Sequence, residues 1–353
     1  MIYEWCQPQW NRILATPDAM PHAVLLAGPS GLGKREFAQA LAARLLCERA
    51  AGAESACGHC AACRLIETGN HPDLLVVRPE ALDGDGDDAG DDAPADDGEG
   101  GKAKSRLIRI AQVRAVIERL GVGSHQGGYR VVLLYPAEAM QSESANSILK
   151  VLEEPPPGTL FLLISDHPRN LLPTIRSRAR LLPFTQPSIE QSLAWLSAQG
   201  VADAGDALAL CAGSPLHARD LAGARDAQIQ GQFVDDVSTQ ALIAPLDVAA
   251  RWAGWLQGRK KGEAGLTDLP TLVTWLQRWM ADLALQAQAG SPRVFVGRQA
   301  ALQALAERSD VATVMRGYNE LLKMKALAHH PLNARLFIED MLMRYARLFR
   351  PAR

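Results

Sequence analysis

Short apolar runs alternate with segments of helical periodicity over the first half of the chain. The four clearest runs are HAVLLAG (22–28), HPDLLVVRP (71–79), YRVVLLY (129–135) and GTLFLLIS (158–165). Continuous apolar runs of this length are typical of strands that are buried on both faces of a sheet. Residues 178–184, RARLLPF, are a candidate fifth strand. Because helical segments separate the runs, the pattern predicts a parallel sheet with helices on both faces.

The same periodicity predicts three helices within this half, at 35–47, 108–121 and 142–156, the last of them halted by prolines. Strand-like runs disappear from about residue 187, and Ala- and Leu-rich helical segments then follow one another to the C-terminus. We therefore predict an α/β domain over residues 1–186, a small helical domain over 187–240 and a second all-helical domain over 241–353.

One segment differs from the rest in composition. The chain has 353 residues, of which 48% are apolar, so most of it is expected to be globular. Residues 83–99 hold nine acidic residues and no basic one, and we predict a disordered insertion over about 81–105. A tolerated loop expansion is its simplest interpretation, beside an acidic tether or a DNA mimic. Without those nine acids, 37 basic residues face 30 acidic ones, a surplus of +7 that permits nucleic-acid contact without requiring it.

The sequence also indicates a compartment. No run of 18 apolar residues is present, and the N-terminus MIYEWCQPQW lacks the basic start and apolar core of a secretion signal. We expect a cytoplasmic protein with no membrane partner. Its six cysteines are then thiols or metal ligands rather than disulfides.

A glycine-rich stretch, GPSGLGKR (28–35), follows the first predicted strand. It meets the phosphate-loop pattern G-x-x-x-x-G-K, in which backbone N–H groups converge on phosphate oxygens and the lysine reaches the β and γ phosphates. The candidate phosphate-binding residues are Gly28, Pro29, Ser30, Gly31, Gly33 and Lys34. The next position normally supplies a Ser or Thr hydroxyl to Mg²⁺, and here it is Arg35.

A second part of the magnesium site is also missing. An acidic pair is expected where Tyr135 and Pro136 follow the third strand, and Glu138 lies further along and is predicted to be misaimed. Because phosphoryl transfer depends on metal and positioning, we predict that the chain does not hydrolyse ATP by itself. Weak binding of ATP or ADP through Lys34 stays open, beside the alternative of a loop kept only as a tight turn.

Four cysteines have the spacing C-x9-C-x2-C-x2-C, namely Cys47, Cys57, Cys60 and Cys63. Four thiolates favour Zn²⁺ in a closed, structural site, and an iron–sulfur cluster is the competing interpretation. His59 lies between two of the ligands and is predicted to be an exposed turn residue. Cys6 and Cys211 stand alone and are predicted to be packing or surface thiols.

The segment IRSRAR (175–180) contains three closely spaced arginines, namely Arg176, Arg178 and Arg180. They form either a solvated basic edge or contacts to a phosphate backbone. Alternatively, one of them is donated to the γ-phosphate of a neighbouring subunit, as arginine fingers are. Since the chain's own site is disabled, such an arginine would act in trans.

Several segments together resemble one protein family. They are GPSGLGKR, CGHCAAC with Cys47, SANSILKVLEEPP (144–156), FLLISDHPRNLLPTIRSRAR (161–180) and NARLFIEDMLMR (333–344). They are similar to segments of the delta-prime subunits of bacterial DNA polymerase III clamp loaders, which belong to the AAA+ family. The resemblance covers nearly the whole chain except the acidic insertion.

The resemblance implies an AAA+ domain with a zinc module at residues 47–63, followed by a helical lid domain at 187–240 and a helical collar domain at 241–353. It implies a stator with little or no ATPase activity in a five-membered ring at the cytoplasmic, nucleoid-associated replisome. The implied partners are motor ATPase subunits and a delta subunit in the ring, a sliding clamp, and the primed DNA onto which the clamp is loaded.

The resemblance also assigns the arginine. Arg178, preceded by Ser177, matches the residue that completes the active site of the adjacent motor subunit. The family's cysteine at the next position is replaced by Ala179, a change expected to be harmless because the thiol is not the charge donor. No catalytic residue is predicted to act within the chain's own site.

Two sensor positions follow from the resemblance as well. Ser165 and Asp166 occupy the first, near the end of the fourth strand. The second normally has an arginine in the helix after a G-S-P sequence, where Leu216 and His217 lie, with Arg219 further on. This departure weakens a nucleotide site within the chain.

Three functions remain in competition. The first is a non-hydrolysing clamp-loader subunit. The second is an active motor ATPase of the same complex, which predicts Mg²⁺-dependent turnover by the isolated chain. The third is a free-standing zinc-containing DNA-binding module, which predicts tight DNA binding that is lost steeply with salt. Arg35, Tyr135 and Pro136 argue against the second, and the modest basic surplus argues against the third.

Overall fold

A computed structural model of the chain describes residues 2–15, 20–50, 53–82, 105–121, 128–201, 204–222, 224–257, 268–328 and 332–349. The chain divides into two compact units, Met1–Pro187 and Ser188–Arg353. None of the described helices is both long and apolar enough to cross a bilayer.

Most of the predicted acidic insertion, residues 83–104, lies outside the described part of the chain. Its two flanks are described, and they are joined to each other. Ala81 N donates to Ser105 O at 2.9 Å, and Ser105 N donates to Glu80 Oε2 at 3.3 Å. The segment therefore begins and ends at one place on the first unit.

The first unit is built on a five-stranded parallel sheet. The strands are β1 (Ala23–Ala27), β2 (Leu74–Val77), β3 (Arg130–Leu134), β4 (Thr159–Ser165) and β5 (Arg180–Pro183). Their order in the sheet is β2-β3-β4-β1-β5. The predicted parallel sheet is confirmed, and the candidate fifth strand is part of it. All residues of the three central strands are buried, which explains their continuous apolar sequences.

Helices cover both faces of this sheet, as predicted. They are α1 (Gln7–Leu14), α2 (Lys34–Leu46), α3 (Ala61–Glu67), α4 (Ile110–Gly121), α5 (Ser142–Glu153) and α6 (Pro173–Arg178). On one face, Phe37 of α2 packs in a buried cluster with Leu26 of β1. On the other face, Val113 of α4 and Ile148 of α5 pack with Phe161 of β4.

Three helix ends set the positions of candidate residues. Helix α2 begins at Lys34, so this lysine belongs to its first turn. Helix α5 ends at Glu153, earlier than the predicted end at 156, because the residue before a proline is disfavoured in the helical conformation. Helix α6 ends at Arg178, and a single residue, Ala179, separates it from β5.

The second unit is helical over its described residues, as predicted. Its helices are α7 (Ile189–Ala198), α8 (Ala204–Leu210), α9 (Pro215–Leu221), α10 (Ala224–Asp235), α11 (Ala241–Ile243), α12 (Pro245–Gln257), α13 (Leu269–Gln286), α14 (Gln299–Ala306), α15 (Val311–Leu327) and α16 (Ala334–Ala346). A small apolar cluster joins α7, α8 and α9. A larger one is centred on Trp252 and Trp279, which are fully buried.

A π-helical turn, Asp236–Gln240, connects α10 to α11 without a break. The predicted boundary between residues 240 and 241 falls in this continuous helical stretch. Phe233, before the boundary, and Trp252, after it, belong to the same apolar cluster, with ring centroids 5.0 Å apart. The division of the helical region into lid and collar domains stays a prediction.

Candidate functional site

The glycine-rich loop joins β1 to α2, the context that a phosphate loop requires. Gly31 and Gly33 have φ values of 68° and 86°, a left-handed conformation that other residues rarely adopt. A Cβ at Gly28 would collide with the carbonyl oxygen of Phe184. The loop therefore needs glycine at these positions to form at all. Pro29 is exposed, and Ser30 is partly exposed.

Lys34 is folded back onto its own chain. Its side chain is only 3% exposed, and its ammonium forms an ion pair with Asp166 Oδ1 at 2.7 Å. The same Nζ donates to Gly28 O at 2.6 Å and to Pro29 O. An ammonium has three protons, and these three oxygens accept all of them.

Two aromatic residues near the N-terminus lie against this loop. The rings of Tyr3 and Trp5 are stacked, with centroids 4.9 Å apart. Trp5 Nε1 donates to Leu32 O at 2.9 Å, and a Cβ at Gly33 would collide with the ring of Tyr3. The N-terminal segment thus fixes the part of the loop that leads into α2. No motif in the sequence predicts this contact, and its signal is the aromatic pair in IYEW.

The positions that would hold Mg²⁺ contact each other. The guanidinium carbon of Arg35 lies 4.8 Å from the ring centroid of Tyr135, within the range of a cation–π interaction. The hydroxyl of Tyr135 in turn accepts a hydrogen bond from Arg78 Nη1 at 3.2 Å. Two guanidinium groups therefore surround the ring that follows β3. A divalent cation would be repelled by both of them.

Glu138 contacts the segment that follows β4. Its Oε1 accepts hydrogen bonds from Asp166 N and His167 N, both at 3.0 Å. The adjacent Ser165, the other residue of the predicted first sensor, is fully buried, and its carbonyl accepts from Gly28 N at 3.3 Å. Glu138 thereby holds the backbone at Asp166, a role that the sequence did not reveal.

The residues of the predicted second sensor lie on α9, in the second unit. Leu216 is buried, and Arg219 forms an ion pair with Asp220 at 2.6 Å. The guanidinium of Arg219 also lies 5.9 Å from the ring centroid of Trp195. Arg219 is thus engaged by residues of its own unit.

The four cysteines of the C-x9-C-x2-C-x2-C motif lie together, and their sulfur atoms are all within 4.8 Å of one another. Cys47 Sγ is 3.9 Å from Cys60 Sγ, and Cys57 Sγ is 4.0 Å from Cys63 Sγ. Tetrahedral Zn²⁺ with bonds of ~2.3 Å to sulfur places its ligands ~3.8 Å apart. A single ion fits this spacing, whereas a cluster of several irons and sulfides needs sulfurs further apart.

Backbone N–H groups point at the sulfurs of this cysteine cluster. Arg49 N and Cys57 N are each 3.4 Å from Cys47 Sγ, and Cys63 N is 3.4 Å from Cys60 Sγ. Hydrogen bonds from the backbone of His59 and Cys60 lower the pKa of Cys57 to about 6, whereas burial raises the pKa of Cys63 to about 12. Such bonds favour thiolates, the form in which cysteine binds a metal.

The remaining cysteines lie elsewhere. Cys6 is buried, and its thiol contacts Leu32 O at 3.4 Å. Burial raises the pKa of Cys6 and of Cys211 to about 12. His59 is exposed, as expected for a turn residue.

Arg178 lies at the end of α6 with its guanidinium engaged on the same chain. Nε donates to Glu153 Oε1 at 2.6 Å, and Nη2 pairs with the same oxygen. Nη1 donates to Thr174 O at 2.9 Å and to Ser177 Oγ at 3.3 Å. The side chain is 32% exposed. Ala179, which follows Arg178, is buried.

Comparison with known proteins identifies the family. A family model described as DNA polymerase III, delta subunit, matches residues 7–188. The chain is 34% identical to the DNA polymerase III subunit delta' of Pseudomonas aeruginosa, over 98% of each chain. The chain belongs to the DNA polymerase III delta-prime family. It is also 32% identical to the delta' subunit of Escherichia coli, over 82% of this chain and 86% of that protein.

Membership in the delta-prime family confirms the resemblance. The parallel sheet covered by helices and the helical second unit confirm the predicted α/β and all-helical architecture. A solved structure of a DNA polymerase III gamma subunit-related protein from Thermotoga maritima covers 97% of this chain and 100% of its own, at 14% identity. Its TM-score of 0.43 is too low to add to the assignment.

The site of this delta-prime chain is thus made of three separate groups in its first unit. The phosphate loop meets the first sensor position through Lys34 and Asp166. The cysteine cluster lies at the far end of α2, with Cys47 directly after the helix. Arg178 contacts neither group among the described residues, and its ion-pair partner is Glu153. The sequence predicts the role of Arg178 but contains no local pattern that points to Glu153.

Proposed function

We propose that this delta-prime chain is a non-hydrolysing stator of a clamp loader, which helps to load a sliding clamp onto primed DNA. The observation that carries the proposal is the pair formed by Arg35 and Tyr135 at the two positions that would hold Mg²⁺. ATP hydrolysis relies on the metal to neutralise charge on the transferred phosphoryl group. A stacked guanidinium cannot bind a water or a phosphate oxygen in the geometry of a metal ion.

The proposed partners are those of a ring. Motor ATPase subunits and a delta subunit would complete a five-membered assembly, and the helical second unit would supply the collar contacts. The assembly would act at the replisome on the bacterial nucleoid. The support is the relatedness of the chain to delta' subunits of DNA polymerase III over nearly its full length.

Within that ring, Arg178 would act on the nucleotide of the adjacent motor subunit. Its guanidinium is partly exposed and lies at the end of α6, so a neighbouring phosphate can reach it. Its bonds to Glu153 would then be exchanged for bonds to phosphate oxygens. Ser177, whose hydroxyl lies 3.3 Å from Arg178 Nη1, would help to orient it.

The cysteine cluster would hold one structural zinc ion. Cys47, Cys57, Cys60 and Cys63 fill all four positions of a tetrahedral site, so none is left for water or substrate. The zinc would therefore organise the segment between α2 and α3 and would take no part in chemistry.

ATP turnover by the isolated chain tests the stator assignment. We expect no Mg²⁺-dependent turnover above background, because the metal has no ligands. Turnover that requires Mg²⁺ would instead identify a motor ATPase. Tight DNA binding by the isolated chain, lost steeply between low and moderate salt, would favour the free-standing DNA-binding module.

The arginine is tested in a reconstituted loader with clamp and primed DNA. The other active sites are silenced by removing the fingers of the motor subunits, so that only the site facing this chain turns over. We expect Arg178→Ala to reduce that turnover by about 10³-fold or more, the usual effect of losing a finger. Arg176→Ala, two residues earlier on the same helix and exposed, is the matched control and is expected to have no effect. Equal rates for the two variants would refute the finger.

A further inference from the structure

The ammonium of Lys34 is already occupied by a carboxylate. Asp166 Oδ1 lies 2.7 Å from Lys34 Nζ, and the other two acceptors are carbonyls of the loop itself, Gly28 O and Pro29 O. In a working phosphate loop the lysine binds phosphate oxygens. Asp166 therefore presents an anionic oxygen to the group that would bind a phosphate.

The position of Asp166 is built into the fold. It directly follows β4, which pairs with β1, the strand that leads into the loop. Glu138 Oε1 accepts the backbone N–H groups of Asp166 and His167, so a second side chain holds this segment. The link between Ser165 O and Gly28 N joins the same segment to the start of the loop. The backbone contacts of this segment therefore hold Asp166 beside Lys34, so the ion pair between them is fixed by the fold.

The two partners are buried to different degrees. The side chain of Lys34 is 3% exposed, and that of Asp166 is 35% exposed. The lysine thus stays within the loop, while the carboxylate borders on solvent and can be displaced towards it. A diphosphate that approached the loop would meet repulsion from this carboxylate and would have to break its bond to the lysine.

We propose that Asp166 is an internal ligand of the phosphate loop, which binds Lys34 in place of a phosphate and thereby excludes nucleoside diphosphates. The loop then keeps the glycines and the lysine of a diphosphate cradle while one carboxylate occupies the lysine, and loss of the metal positions is a separate feature. The proposal does not depend on the loader assignment, because it concerns the isolated chain and binding rather than turnover.

The test measures binding of ADP, and of inorganic pyrophosphate as a second probe, by calorimetry on the isolated full-length chain with EDTA present. Removing the carboxylate leaves one proton of the Lys34 ammonium available to a phosphate oxygen and removes the repulsion, so we expect Asp166→Ala to bind ADP at least tenfold more tightly than the unmodified chain. Asp166→Asn keeps a neutral oxygen near Lys34 and is expected to fall between the two. Because ADP and pyrophosphate both contain a diphosphate group, both are expected to bind more tightly to the Asp166 variants.

Two controls separate the proposal from simpler effects. Glu143→Gln removes one negative charge from the exposed side of α5 and is expected to change ADP affinity by less than twofold. Lys34→Ala combined with Asp166→Ala is expected to lose the gained affinity. If Asp166→Ala does not fold, Asp166→Asn carries the test. ADP affinity that is unchanged in the folded Asp166 variants, or a gain that survives loss of Lys34, would overturn the proposal.

Discussion

Arg178 and Glu153 form the contact on which the proposed finger depends. Two nitrogens of the guanidinium contact Glu153 Oε1, and this carboxylate therefore competes with a phosphate of the neighbouring subunit. An ion pair exposed to this extent is worth up to about 1 kcal/mol. Because a finger acts mainly in the transition state, we expect Glu153→Gln to raise kcat/KM for ATP at the adjacent motor site by about two- to fivefold.

Glu154 offers the matched control for this experiment, since it follows Glu153 directly and forms no ion pair with Arg178 within the described part of the chain. Glu154→Gln is expected to leave both kinetic constants as they are. A fall in kcat for Glu153→Gln would mean that the carboxylate orients the arginine during the reaction instead of competing with the phosphate.

The sequence identified functional residues at this scale but not their partners. The glycines and Lys34 follow from a local pattern, because neighbours in sequence form the loop. The bond between Lys34 and Asp166 depends on β1 and β4 lying side by side, and no local pattern contains that information. The same holds for Glu138, whose carboxylate was predicted to be misaimed and is used to fix the backbone at Asp166.

Among the described elements, the proposed zinc module, residues 47–63, has the least apolar support. Its buried cluster consists of Cys60, Cys63 and Ala62, packed with Cys47, Cys57 and Ala56, so the ligands are themselves the core. Helix α3 has seven residues, too few to be stable alone. We expect one zinc ion per chain by elemental analysis. Its removal by a chelator is expected to increase hydrogen exchange across residues 47–67 and to leave the sheet protected.

Cysteine variants complete the zinc experiment. Cys60→Ser is expected to lose the ion, whereas Cys211→Ser, which changes a cysteine outside the cluster, is expected to retain it. Iron in place of zinc would contradict the assignment. Unchanged hydrogen exchange after complete loss of zinc would show that the module folds without the metal.

A second element depends on one carboxylate. Asp282 of α13 is 1% exposed and accepts backbone N–H groups from Arg293, Val294 and Phe295 at 2.9, 2.8 and 2.7 Å. Asp282→Ala leaves three donors without their acceptor. We expect a loss of about 3 kcal/mol in unfolding free energy, measured by urea denaturation, and faster exchange at residues 293–295. Glu307→Ala, an exposed position after α14, should stay within about 0.5 kcal/mol of the unmodified chain.

The strands were predictable from the sequence, whereas for the helices only their presence was predictable and not their packing partners. The three central strands were recognisable because burial on both faces demands a continuous apolar run. In the second unit the helical period was equally clear, but it does not say which helices meet. Helix α12 packs on α16 and α13 on α15. These pairings join segments that are far apart in sequence, so the helical period of each segment does not predict them.

At the scale of the whole molecule, the acidic segment makes the net charge of the chain negative, although it lies outside the described residues. Nine acids in residues 83–99 offset the basic surplus, and without them the balance is 37 basic against 30 acidic residues. The flanks of the segment are tied together by the bond between Ala81 and Ser105, and Arg109 pairs with Glu80 at 3.1 Å. These contacts do not use the acidic residues, so the connection can be shortened without disturbing its ends.

We expect deletion of residues 83–99 to leave the chain folded, since residues 100–104 remain to join the two flanks. Shortening the connection from residues 83–104 to five residues lowers the cost of closing it by about 1 kcal/mol, so the unfolding free energy should stay the same or rise by that amount. The surplus of +7 should move elution of the shortened chain from heparin to higher salt.

A variant of full length with its nine acids replaced by Asn or Gln should show the same shift in elution with no change in stability, because only the charge has changed. Loss of folding on deletion would make the segment part of the structure, and unchanged elution would mean that its charge does not screen the basic surface.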